Sequence, residues 1–440
     1  MIAAADRQRC RGGEDYGTTS GFTGQPFRLP GSFRGTNREY HCRTANVVPI
    51  GEVNQTGLKT GRRLMTAHMT FFPLGNADTT LLRLANDDMI LLDYADMRSA
   101  TDPTDKRVDL PKALRSELAD AGRQSFRVVA FTHLDKDHVF RASDFFEFEH
   151  SNSRKGGGRV RMDEMWVPAA AVTETCLDDD ARVIRQEARY RLYEGKGIKV
   201  FSRPGNLATL LAEWGLSVDD RRHCIVNAGE LVPGFSKDGL EGAEFFVHSP
   251  FAWRTDDGLE DRNENSIVVQ MTMREYGRDT FALLGADIDH ETLSQIVKTT
   301  RDHGNTDRLK WDVLKLFHHC SYKSLSPEKG VDITVPVDEV RWLFEELARD
   351  KEIIVSPSWP IPSKGTDHDR DPQPPHRQAA NYYKSIIRDS NGQFKVTMET
   401  PSQTNPKPIK LRVSAGGVTL VSSAAPTVAA AVSSGTTRAG

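Results

Sequence analysis

The chain has 440 residues, enough to bury a sizeable core, and its 58 Lys and Arg against 61 Asp and Glu leave a formal charge of −3. That balance excludes a protein held to nucleic acid by a broadly basic surface, while leaving room for a local basic cleft. A hydrophobic share of 38% with a mean hydropathy of −0.51 assigns part of the length to exposed segments.

Residues 1–64 are rich in Gly, Arg, Thr and Asn without a sustained apolar period, and read as a poorly ordered extension; an overlong start would look the same. Three β-like runs open the next stretch: Met69–Pro73, Thr79–Leu84 and Met89–Asp93. Helical spacing over Lys112–Arg123 precedes a buried strand at Phe126–Phe131, with helical stretches at Phe140–Phe148 and Asp180–Tyr193 and a glycine-rich loop at Ser151–Arg159 between them. A second set follows, with strands at Glu244–Val247, Ser266–Met273, Thr280–Ala286 and Val313–Phe317, and helices at Glu291–Thr300, Glu339–Arg349 and Arg377–Arg388. The runs Gln393–Met398 and Ile409–Val413 are expected to close the second sheet. Two β-rich halves flanked by helices favour a single α/β layered sandwich over residues 65–423, with a small, polar, flexible tail over 424–440. No apolar run approaches the roughly 18 residues of a membrane span, and no secretory signal is evident. Cys10, Cys42, Cys176, Cys224 and Cys320 are widely spaced and form no CxxC pair. A disulfide framework and a cysteine zinc site are therefore not indicated, and a reducing cytoplasm without membrane contact is the expected setting.

The densest group of metal-capable side chains is THLDKDH, Thr132–His138, directly after FRVVAF. In a turn beyond a strand's carboxyl end, His133 and Asp135 can aim at one point and Asp137 and His138 at a neighbouring one, as a two-metal site requires. A polar turn whose aspartates cap the next helix is the plainer alternative. The same arrangement of an apolar strand running into acceptor residues recurs at FALLGADIDH, with Asp287 and Asp289, and at VLKLFHHCSYKS, with His318 and His319. For these the plainer readings are a helix N-cap at Asp287 and a satisfied core pair at His318 and His319.

In the order of its blocks, the chain resembles the metallo-β-lactamase superfamily of dinuclear metal hydrolases, and within it the soluble hydrolase domain of ComEC-type bacterial DNA-uptake proteins. The blocks are GNADTTLL, LLDYA, THLDKDH, FFVHSP, ENSIVVQM with FALLGAD, and LKLFHHCSYKS, together spanning about Met69–Val421. The resemblance implies a four-layer αββα sandwich. It also implies two divalent ions, with His133 and Asp135 on one, Asp137 and His138 on the other, Asp287 between them, and His318 or His319 completing the shell. Asp78 and Asp93 become supporting residues. Asp137 would orient a metal-bound hydroxide, and Lys323, Ser321 and Ser324 would meet an anionic substrate oxygen.

The departures bear on the metal. Asp135 stands where the commoner loop has a second His, and between His138 and Asp287 only His223 and His248 occur, of which His248 ends a strand. More oxygen and less imidazole makes Mn²⁺ or Mg²⁺ credible beside Zn²⁺. Cys320 replaces the family's Gly after the histidine pair, as a small buried residue. In the Pro-rich stretch Ser356–His376, His368 and His376 are candidates for substrate contact. HExxH, GxSxG, GxxxxGK[ST] and a GxGxxG after a strand are all absent. The expected function is hydrolysis of a phosphodiester in nucleic acid or a nucleotide. The alternatives are opening of a lactone, lactam or thioester, or a metal-binding regulatory module with little turnover.

Overall fold

In the computed structural model of the chain, the described residues are 66–421 except 176, 203, 252–262 and 389. They belong to one compact unit, Leu64–Gly440. The expected extension over 1–64 and tail over 424–440 lie outside the described residues. Short runs buried on both faces, such as MILL over Met89–Leu92 and WDVLK over Trp311–Lys315, make the central strands. The first sheet holds β1 (His68–Phe71), β2 (Thr80–Arg83), β3 (Met89–Leu92), β4 (Ser125–Ala130), β5 (Arg161–Pro168), β6 (Ile198–Phe201) and β7 (Ile225–Val226). The second holds β8 (Ala243–Ser249), β9 (Val268–Glu275), β10 (Arg278–Leu284), β11 (Trp311–Lys315), β12 (Ala348–Ser356) and β13 (Gln393–Val396), after which β14 (Ile409–Ser414) and β15 (Gly417–Leu420) return to the first. The spatial orders are β15-β14-β1-β2-β3-β4-β5-β6-β7 and β13-β12-β11-β10-β9-β8.

From β3 to β7 and from β10 to β13 neighbouring strands are parallel, so each connection must cross over. Helices α1 (Leu110–Asp120), α2 (Lys136–Val139), α3 (Ala142–Phe145), α4 (Ala169–Thr173), α5 (Asp179–Glu194) and α6 (Gly205–Glu213) lie in the first set of crossovers. Those of the second are α7 (His290–Asp302), α8 (Asp338–Glu346) and α9 (Arg377–Ile386).

Alternation within the strands decides the layering. Leu81, Leu91, Val129 and Met165 pack with Leu114 of α1, Ile184 of α5 and Leu211 of α6. Their neighbours Leu82, Ile90, Val128 and Trp166 turn the other way and meet Phe245, Val269, Met271, Ala282 and Val313 of the second sheet. Beyond that sheet, Leu283, Leu314 and Ile354 pack with Ile296 of α7, Phe344 of α8 and Tyr383 of α9. Three apolar cores therefore separate four layers, and the fold is an αββα sandwich.

Three expectations change. Ile409–Val413 does not close the second sheet; as part of β14 it pairs antiparallel with β1, His68 opposite Arg412, because its alternation fits the open edge of β1. The helix expected over Phe140–Phe148 contracts to α3. There Phe145 stacks on Tyr94 at 4.9 Å and Phe146 meets the same ring edge-on at 5.2 Å, so burial of the aromatic run overrides helical continuation. The helix expected to reach Arg349 ends at Glu346, and β12 begins at Ala348. No helix among the described residues is long and apolar enough to cross a membrane.

Trp166 joins the two sheets, meeting Phe201, Phe235 and Phe245 with ring centroids 5.4–5.6 Å apart. Trp166→Ala is expected to lower unfolding free energy by about 3–5 kcal/mol, read from the midpoint of a denaturant titration.

Candidate metal centre

Three strands from both sheets end at one place. β4 runs into Thr132–His138, β10 into Gly285–Asp287, and β11 into Phe317–His319. Gly285 is required for their convergence: a Cβ there would lie 1.9 Å from Cε1 of Phe317. The loop after β11 turns through three successive left-handed residues, His318, His319 and Cys320, at φ +45°, +51° and +67°, each costing about 1–2 kcal/mol for a side chain with a Cβ. Backbone bonds hold the turn: His318 N–H donates to Ala286 O at 3.3 Å, Ser321 N–H to His318 O at 2.9 Å and His376 N–H to Cys320 O at 3.1 Å.

The side chains are aimed from behind. Asp93, buried and itself left-handed at φ +59°, accepts from Thr132 N–H and Thr132 Oγ1–H at 2.7 Å each and from His138 Nδ1–H at 2.8 Å. That fixes the His138 ring and turns its Nε2 to Asp287 Oδ1, 3.4 Å away. His319 donates from Nδ1 to Pro357 O at 2.8 Å, which leaves Nε2 3.1 Å from Asp137 Oδ2 and 3.4 Å from Asp287 Oδ2. With the Thr132 hydroxyl hydrogen committed to Asp93, His133 Nδ1–H donates to Thr132 Oγ1 at 3.3 Å, and its Nε2 stands 3.9 Å from Asp135 Oδ2.

Asp137, His138, Asp287 and His319 present one donor atom each, all within 4.8 Å of one another. Donors about 2.1 Å from a tetrahedrally held ion stand about 3.4 Å apart, close to the separations seen here. Nε2 of His133 is buried without a hydrogen-bond partner, and Nε2 of His138 and Oδ1 of Asp287 face each other at 3.4 Å without a well-formed bond, a costly arrangement of buried polar atoms that a cation would relieve. The mixed imidazole and carboxylate set thus fits a divalent ion such as Zn²⁺ or Mn²⁺.

Without an ion, protons hold the cluster together. Burial opposes a charged His138, but the Asp93 and Asp287 carboxylates outweigh it and carry the imidazole well above its ordinary range. His319 is buried too, and Asp287 with Asp137 pushes it up to about 10. Asp287 is held well below the usual carboxylate range, against burial, by His319 and His138, and Asp137 is lowered, also against burial, by its bond to His319 and by His138. Burial and the neighbouring His138 depress His133 to about 4, so it is a neutral imidazole.

The expected residues sort into several environments. Asp135 occupies the N-cap position of α2 without a side-chain cap bond, and Asp289 rather than Asp287 caps α7, accepting from Thr292 N–H at 2.8 Å. His318 lies farther from the four-donor group than His319, 3.9 Å from Asp287 Oδ2, with 21% of its side chain exposed against 2% for His319. Lys323 is exposed. Ser321 Oγ accepts from Lys323 N–H at 3.2 Å. Ser324 differs from its expected substrate contact: it is fully buried and its hydroxyl donates to Ile288 O at 2.7 Å, so it braces the loop. His376 is buried, accepts from Tyr322 N–H at Nδ1, and has an unpartnered Nε2; burial and Lys329 lower it to about 4. His248 stands apart, bonded to Arg308 O at 2.9 Å and Thr300 Oγ1 at 3.2 Å. Cys320 is buried as expected.

One participant was missed. Lys315, buried at the end of β11, places Nζ 2.5 Å from both Asp78 Oδ2 and Gly285 O. Asp78 N–H in turn donates to Asp137 O at 3.0 Å, so this lysine ties three of the converging segments. Burial pushes the Asp78 acid up even with Lys315 beside it. A lysine inside the apolar run VLKLF was the available signal.

No protein-family profile and no curated protein matches the chain. Among solved structures, it is similar to a diphosphatase of the PhnP family at 12% identity and TM-score 0.29, covering 66% of this chain and 87% of that one. It is similar to the metallo-β-lactamase GOB-18 from Elizabethkingia meningoseptica at 11% identity and TM-score 0.28, covering 77% and 96%. A class B3 di-zinc metallo-β-lactamase, LRA-12, from an Alaskan soil metagenome gives 11% and 0.26, covering 67% and 97%. Superpositions this loose carry no argument about substrate or mechanism.

Lys315→Met is expected to cost about 3–5 kcal/mol by leaving Asp78 buried without its cation, with Asp78→Leu/Lys315→Met recovering part of it in the same denaturant titration. Metal-stripped protein should also show a characteristic pH dependence. His319, raised to about 10, contributes stability that is complete below about 6.5 and is lost as pH rises through 10. Asp137 and Asp287, both lowered, contribute stability that is lost on acidification below the ordinary carboxylate range. Calorimetry of chelator-treated protein should therefore show Tm falling from neutral to alkaline pH, and saturating Zn²⁺ or Mn²⁺ should flatten that fall.

Proposed function

We propose that this chain is a metallohydrolase of the metallo-β-lactamase superfamily, akin to the ComEC-type hydrolase domains, that cleaves phosphodiester bonds in nucleic acid or a nucleotide. The observation that carries the reading is the four-donor pocket of Asp137, His138, Asp287 and His319 beside the unpartnered Nε2 of His133. Two divalent ions in such a site supply a water acidic enough to attack near neutral pH and screen the charge of a scissile phosphoryl group. His133, His138, Asp287 and His319 would hold them with Asp135 and Asp137, and His318 stands in reserve 3.9 Å from Asp287.

Asp137 is the most open of the four-donor group, with 33% of its side chain exposed, and would orient the attacking water. Lys323, exposed on the loop after the histidine pair, offers a cation to a non-bridging phosphate oxygen. His376, buried and accepting from Tyr322 N–H at Nδ1, steadies the loop that carries Lys323. Asp93 and Thr132 orient His138 and never need to touch substrate.

Metal analysis of wild type and Asp137→Ala, with cleavage assays on linear DNA, RNA and a chromogenic phosphodiester under added Zn²⁺, Mn²⁺ or Mg²⁺, tests this. About two metals per chain and phosphodiester cleavage are expected, with kcat at least about 100-fold lower in Asp137→Ala. Opening of lactones or lactams with no phosphodiester cleavage would overturn the substrate assignment. Absence of both metal and activity would leave a binding module.

A further inference from the structure

A groove of about 670 Å³, within the usual size of a small-molecule site, lies beside the candidate metal centre. Its walls are built by segments that also carry the centre. Asn76 is two residues before Asp78, Trp359 two after Pro357, which anchors His319, and Pro374 two before His376. Asn76 ties these walls together: its Nδ2 donates to Pro374 O at 2.5 Å, and its Oδ1 accepts from Trp359 N–H at 3.2 Å. The groove thus adjoins segments that brace the centre, Asp78 bonded to Asp137 O and Pro357 behind His319.

The groove is lined mainly by an aromatic ring, prolines and neutral polar side chains, with His368 and the carboxylate of Asp371 as its titratable groups, and among the described residues no lysine or arginine lines it. Trp359 is 40% exposed yet firmly placed. Arg107, itself paired with Asp105 at 2.7 Å, lies 5.6 Å from the ring centroid. Gly75, at φ +82°, backs the ring so closely that a Cβ would fall 2.7 Å from Cε2. A rigid, partly open indole in a groove that also holds Gln373 and Gln403 suits a flat, uncharged heterocycle with donors and acceptors on its rim. It does not suit a phosphate, which would call for cations.

Resting on the phosphodiesterase reading, we infer that this groove receives the base of the nucleotide adjoining the scissile phosphate, with Trp359 as its stacking surface. Base stacking on an aromatic side chain tolerates any base, so the groove would favour nucleotides over other phosphodiesters without reading sequence.

The test compares a dithymidine phosphodiester with the same compound lacking its bases, on wild type, Trp359→Ala and Trp359→Phe. Trp359→Ala is expected to raise KM for the base-bearing substrate about tenfold with little change in kcat, and to shrink the preference over the abasic compound by the same factor. Trp359→Phe should restore most of it. A preference untouched by Trp359→Ala would overturn the inference. A second measurement separates it from the reading on which it rests: calorimetric titration of thymidine 5′-monophosphate into Asp137→Ala and Asp137→Ala/Trp359→Ala. If no phosphodiester is cleaved, binding that weakens about tenfold on loss of Trp359 sustains the groove while the catalytic reading falls. Equal binding, or none, overturns the groove.

Discussion

Four carboxylates, Asp78, Asp93, Asp137 and Asp287, meet where strands of both sheets end, and they could not stand together there uncompensated. Three of them are buried, and like charges in a weakly polar interior repel strongly. Each is answered differently. Asp93 takes three donors from Thr132 and His138, and Asp78 takes the ammonium of Lys315. Asp137 and Asp287 share the imidazoles of His138 and His319. These answers also set the geometry, because every compensating group sits on a different segment from the carboxylate it serves or spans a turn to reach it. The sandwich brings the strand ends together, and charge matching decides how they lock.

Much of this was legible in the residues. The run from FRVVAF into THLDKDH marked a strand releasing ligands at its carboxyl end, and the same pattern at Asp287 and at His318–His319 placed all three converging loops. What the sequence could not decide was which of two adjacent histidines turns inward. That choice is made by three left-handed residues and by Pro357, 38 residues on from His319, and neither has a local signature. The sheet assignment of Ile409–Val413 failed for a related reason: alternation says that a strand has one buried face and nothing of which edge it will join. Lys315 escaped notice because a long cation in an apolar run reads as an interruption until its buried partner is known.

The left-handed turn after β11 illustrates how local cost and global order coexist. Cys320, standing where a glycine would be free of strain, keeps its thiol inside the third core while its carbonyl accepts from His376 N–H. The backbone is thus over-determined on both sides, as persistent strained conformations require. The strain is placed where the two histidine rings diverge, one toward the four-donor pocket and the other toward the surface.

The pairing of β1 with β14 joins positions about 340 residues apart, His68 with Arg412. On a ribosome adding about 5–20 residues per second, β1 would wait roughly 20–70 s for that partner after emerging. During synthesis β2 can cover only one side of it, so the other side presents unpaired backbone next to Met69 and Phe71. The nine-stranded sheet therefore closes late in the life of the nascent chain, and that exposed edge is where a chaperone would have most to shield.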